Sequence, residues 1–256
     1  MRRINKGNFA WFIVLLLFTS FLIYLLLSRK IYTFINPEMV KYTIFGLLGF
    51  VVLTTFQSKK IFDTHEEDNI KIGYILFLLP LFLGITNRGF NVSIADKKNV
   101  TVAERQVSSR NAYKDHNVIS TEENNKGNFI KDGKVRFNDK NYYHILNDIS
   151  RNLDRYVNQK VEIVGFAYKD KGFGKNNFVV ARMLMTCCAA DSQVVGIMCE
   201  YPYTGNIEKG TWVKVQGIIN AKDYKSANGK TQYGMAVIEV KKIISVRKPA
   251  SEYIYP

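Results

Sequence analysis

The sequence predicts an integral membrane protein of two modules: about three N-terminal transmembrane helices, then a separate domain that is mainly β. Three observations predict it. Long uncharged apolar runs crowd the first ninety positions, most of the charge lies beyond them, and five β-rich runs punctuated by turn residues follow residue 160. A length of 256 residues holds a membrane part and one soluble domain of ordinary size.

The first run, Phe9 to Leu27, carries no charge, and its 19 residues at about 1.5 Å each nearly match the ~30 Å hydrocarbon thickness. Arg2, Arg3 and Lys6 in front suggest a cleavable signal peptide as the competing reading. The run is longer than the usual ~7 to 15 apolar residues, and Ser28-Arg29-Lys30 replaces a small-residue cleavage site, so a retained span over about 9–27 is expected. The second span, about 39–57, is built on Tyr42 to Phe56, with Met39 and Val40 extending it and Lys59 and Lys60 placed to snorkel. Its Gly46 and Gly49 thin one side for close helix contact. The third, about 72–88, contains Pro80 and is expected to kink there. Basic residues near the spans divide equally between the two sides of the bilayer, so the positive-inside rule sets no orientation.

Residues 91–140 are polar with isolated apolar positions and read as a tether with at most short local elements. Tyr142, Ile145, Leu146, Ile149 and Leu153 then recur at helical spacing, with Asn147, Asp148, Arg151 and Asn152 off that stripe, so an amphipathic helix opens a folded domain over 141–256. Five strands are expected after it: Lys160 to Tyr168, Phe178 to Met185, Val194 to Tyr201, Trp212 to Ile219 and Met235 to Val246. Their number, the alternation after Trp212, and Gly165 and Gly217 where a strand must bend suggest an OB-like five-stranded barrel, with a generic β-sandwich as the alternative. Lys171 to Lys175 and Ser226 to Lys230 read as hairpin turns. The first lacks the spacing of a phosphate loop and no helix follows it.

The charge is uneven. Of 36 Lys/Arg and 22 Asp/Glu, 26 and 17 lie from residue 89 onward, so about +9 of the net +14 falls on the C-terminal part. Such an excess could attract anionic lipid headgroups, acidic partners or nucleic acid, but a lysine-rich solvated surface is the preferred reading. The three cysteines lie within thirteen residues of one another, which excludes a disulfide framework.

The candidate metal ligands are Cys187, Cys188 and Asp191 in the run TCCAAD, with Cys199 nearby in sequence; soft thiolates suit zinc or cuprous copper. Neighbouring residues on an extended strand face opposite ways, so one ion can take both thiols only if a turn re-aims them. Otherwise one thiol packs as a small core hydrophobe. His65 stands beside Glu66, Glu67 and Asp68 in an inter-span loop, His116 in the tether, and His144 near the apolar stripe of the amphipathic helix. No Ser-His-Asp set, HExxH motif, Rossmann fingerprint or shared pair of acids is present, so no enzymatic activity is expected.

Residues from about Tyr142 to Pro256, through VEIVGFAYK, NNFVVARMLMTCCAADSQVVGIMCEY, TWVKVQGII and EYIYP, resemble the C-terminal domain of YcgQ-like bacterial proteins, and the N-terminal spans fit the same layout. The resemblance implies a subunit of a two-component membrane permease complex, partnered by a larger, many-spanning permease of the YraQ-like group, with the soluble domain outside the cell. Many relatives carry a histidine-rich loop between the second and third spans. The corresponding stretch here, KKIFDTHEEDNIK, has only His65, a departure that weakens a transition-metal role. The leading expectation is a non-catalytic accessory subunit whose β-domain gates the permease or presents substrate. The others are a membrane-tethered metal binder using Cys187 and Cys188, and an OB-type nucleic-acid binder stacking bases on Tyr168, Phe173 and Tyr224.

Overall fold

The computed structural model describes residues 6–61, 78–79, 82, 100–102, 129–225 and 231–256. The chain divides into two compact units, one of Met1–Ile94 with Cys187–Asp191 and one of Ala95–Thr186 with Ser192–Pro256.

In the first unit, α1 (Lys6–Leu27, 22 residues) and α2 (Val40–Lys60, 21 residues) form an antiparallel hairpin. Both are long and apolar enough to cross a membrane, and they are the two such helices among the described residues. The expected third span, 72–88, lies outside the described residues except at Leu78, Leu79 and Phe82. Between the helices, the Asn36 side chain accepts from Glu38 N at 3.0 Å and Pro37 opens a short 3₁₀ turn, a pairing that starts a helix cleanly.

Polar and aromatic pairs register the two helices. Thr19 Oγ1 lies 3.2 Å from Thr54 Oγ1, each hydroxyl also reaching its own helix's carbonyl four residues back. Gln57 Nε2 donates to Asn8 O at 3.2 Å, and the Phe18 and Phe50 rings stack with centroids 5.9 Å apart. Such contacts glue helices where lipid removes the hydrophobic drive between them. α2 buries no residue at all.

In the second unit, five long strands carry the fold: β4 (Lys160–Tyr168), β5 (Asn177–Leu184), β6 (Gln193–Glu200), β7 (Trp212–Lys225) and β8 (Thr231–Ser245). β4 pairs antiparallel with β7 and β7 with β8; β8 runs parallel to β6, β6 antiparallel to β5, and β5 returns to β4. Short strands extend this sheet: β1 (Val100–Val102) beside β6, the hairpin β2 (Ile130–Lys131) and β3 (Lys134–Arg136) beside β4, and β9 (Tyr253–Ile254) beside β5. β1 to β3 fall within the stretch 91–140 expected as a tether.

Gly165 and Gly217 are among the glycines required by close approach. A Cβ at Gly165 would lie 2.4 Å from Ala181 O, where β4 meets β5, and one at Gly217 2.3 Å from Glu239 O, beside a bulge between β7 and β8.

The expected amphipathic helix is α3 (Tyr142–Arg151), with Tyr142, Ile145, Leu146 and Ile149 buried. Its stripe joins Leu153 and Tyr156 in a core with Val161, Ile163, Phe178, Val180, Ile197, Val215 and Ile238 from all five long strands. β7 and β8 run well past their expected apolar stretches because ladder bonds continue into a polar ribbon, where Asp223 accepts from Gly234 N at 2.8 Å.

Candidate functional site

The segment after β5 turns sharply instead of extending. Ala189–Asp191 forms a 3₁₀ turn, and Asp191 Oδ2 accepts from Cys187 N at 2.7 Å and Cys188 N at 3.4 Å, closing the loop on its own carboxylate. That turn supplies the re-aiming an extended strand forbids: ligand atoms of Cys187, Cys188 and Asp191 all lie within 4.8 Å of one another. Within its unit the segment is tied to the interhelical turn by an Ile35–Cys188 bridge, Asn36 N donating to Cys187 O at 3.0 Å and Ala189 N donating to Phe34 O at 2.8 Å.

Electrostatics favour a protonated Cys187 thiol here. The hydrogen bond to Asp191, then that to Cys188, pushes the Cys187 thiol up to about 11, so it is neutral at physiological pH until a cation displaces the proton. Three donors fall one short of a closed tetrahedral site and leave a position open. Cys199 stands apart from this cluster, fully buried in the β-domain core, where burial holds its thiol protonated. His144 is exposed on α3 against Tyr143, and His65 and His116 lie outside the described residues.

The three aromatic residues considered for base stacking pack on one another instead. Phe173 meets Tyr168 and Tyr224 edge to face at 6.1 and 6.5 Å, Tyr168 is buried, and Lys209 lies over the Tyr168 ring. The Tyr224 hydroxyl accepts from Gly174 N at 3.0 Å, so this group clasps the β4–β5 turn.

Two features escaped sequence reasoning. Arg182 points into the β-domain only 2% exposed, paired with Asp139 at 2.9 Å, donating to Ser251 O at 3.0 Å and lying over the Tyr142 and Trp212 rings. Its Nε is buried without a hydrogen-bond partner among the described residues. The second is a cleft of about 1040 Å³ over β2, β3, β4, β7 and β8, walled by six cations, Lys131, Lys134, Arg136, Lys160, Lys241 and Lys242. The signal for its first wall was present in the sequence: Asp132-Gly133, both at positive φ, is the two-residue turn that closes a tight hairpin.

Models described as the DUF1980 N-terminal domain and the DUF1980 C-terminal domain match residues 11–101 and 112–256. The UPF0703 protein YcgQ of Bacillus subtilis (strain 168) is 28% identical over 100 residues; the alignment covers 39% of this chain and 34% of that protein, about a third of its length. Among solved structures, the mitochondrial single-stranded DNA binding protein Rim1 of S. cerevisiae is 14% identical, covering 36% of this chain and 98% of its own. Its TM-score of 0.23 bears on neither fold nor function. With one domain model matching more than half of its length and the other most of the remainder, the chain belongs to the DUF1980 family of YcgQ-like proteins.

Proposed function

We propose that this protein is a non-catalytic accessory subunit of a bacterial membrane permease complex, held by its spans against a larger YraQ-like permease. The observation that carries the reading is α2, an apolar helix with no buried residue. Among the described residues, nothing stands within 4 Å of where a Cβ would be at Gly46 or Gly49, which leaves a thin, smooth strip for close approach of a partner helix. Membership of a family with the same two-domain layout supports it.

In this reading the five-strand cycle of pairings is an OB-like barrel, the soluble domain lies outside the cell, and it gates the permease or presents substrate to it. Deleting the gene tests the role. Loss of the permease's abundance or of its transport is expected, and unchanged levels of both would refute it.

A second reading is favoured by one observation, the convergence of Cys187, Cys188 and Asp191: the protein binds zinc or cuprous copper at the loop. Fully reduced full-length protein that takes up neither metal would dismiss it. A nucleic-acid role finds less support, because the aromatic groups that would stack bases are engaged with one another.

A further inference from the structure

We infer that the basic cleft of the β-domain is a binding site for a ligand bearing at least two phosphate groups. This goes beyond the permease reading and does not depend on it.

Lys131 on β2 is directly opposite Lys134 on β3, and Lys134 is directly opposite Lys160 on β4. Directly paired residues share one face of a sheet, so three ammonium groups stand side by side across three strands roughly 4.8 Å apart. Like charges directly opposite destabilise a sheet. On that same face Arg136 is opposite Glu162, which is opposite Gln216, which is opposite Lys242, placing two more cations one repeat along.

Internal compensation reaches only part of this ladder. Glu162 takes Lys134 at 3.0 Å, Lys214 at 3.6 Å and Gln216 at 2.8 Å, and these bonds, that of Lys134 first, hold its carboxyl below the usual range and keep it charged. Glu239 takes Lys241. Lys131, Arg136, Lys160 and Lys242 have no carboxylate partner among the described residues, and the cleft lining adds one acid, Asp132. The centre of the face is thus neutralised and its ends are not.

The ends set the ligand. The lysine ladder spans roughly 10 Å over three strands, too wide for one phosphate and suited to two or more held together. Asn138 and Asn141, at the start of α3, add neutral polar groups and the positive end of a helix to one wall. Ile218, on the same outer face as Gln216, adds an apolar side chain to the floor. A soluble polyphosphate and the two-phosphate headgroup of a cardiolipin present the same chemistry.

Thermal unfolding of the full-length protein in a neutral detergent at low salt tests this, with inorganic tripolyphosphate or a short-chain cardiolipin as the added probe. At saturation a rise of roughly 5 °C or more is expected with one of them. A rise with tripolyphosphate identifies a soluble anion as the source, and a rise with cardiolipin alone identifies a headgroup. The combined variant Lys131→Gln, Lys160→Gln, Lys242→Gln should lose the response. No rise with either probe, or an equal rise in the variant, overturns the site. Without ligand, Lys160→Gln should melt at or above the wild-type temperature, since it removes repulsion and no buried surface; a clear fall would contradict the repulsion on which the inference rests.

Discussion

Asp191 does two things to the thiols beside it: it draws them together and it holds the Cys187 proton. Replacing it with asparagine keeps an acceptor for the loop N–H groups while removing the carboxylate whose hydrogen bond and charge raise the Cys187 thiol. The Cys187 pKa should then fall from about 11 toward its ordinary value near 9. Alkylation of the reduced protein, followed against pH at Cys187, should accelerate at lower pH in Asp191→Asn than in wild type. An unchanged profile would show that Asp191 does not control the thiol. Arg182 is the other residue whose surroundings set its role. Its guanidinium is 2% exposed and joins β5, the approach to α3 through Asp139, and the C-terminal tail through Ser251, a geometry that a point-like ammonium does not reproduce. Arg182→Lys should therefore destabilise the β-domain by about 2 kcal/mol, read as a lowered melting temperature.

Among the elements, β9 shows how much a two-residue strand can hold. Tyr253 and Ile254 pair with Met183 and Leu184 along β5, Met185 N donates to Ile254 O at 3.0 Å, and Ile254 is fully buried in the core. Ile254→Ala should cost about 2 to 4 kcal/mol, with earlier protease cleavage near the C-terminus. Gly217→Ala should be worse than an ordinary strand substitution, about 3 kcal/mol or more, because its Cβ would meet the Glu239 carbonyl itself and not a flexible side chain. The long strands were legible because β-branched and aromatic residues recur between turn signals from Lys160 onward, and α3 because its apolar stripe is regular. The short strands were not, for physical reasons. β2 and β3 are stabilised by a hairpin turn and by lateral pairing to β4, and β9 by burial of two side chains, none of which produces a run of apolar residues.

At the scale of the molecule, composition separated a membrane part from a basic β-domain, and the structure adds what charge counting could not. The C-terminal excess of positive charge includes a ladder across neighbouring strands, visible only once register is known. The cysteine loop was legible as a candidate by residue type, whereas its convergence depended on a turn closed by Asp191 that spacing alone does not reveal. The family relation and the bare apolar surface of α2 make association within the membrane the central claim of the account. Affinity purification of the tagged full-length protein from native membranes solubilised in mild detergent tests it most directly. A many-spanning permease should co-purify in near-stoichiometric amount, and less of it when Gly46 and Gly49 are replaced together by leucine. Recovery of the protein with no membrane partner, under conditions where an established membrane complex from the same cells stays intact, would contradict it.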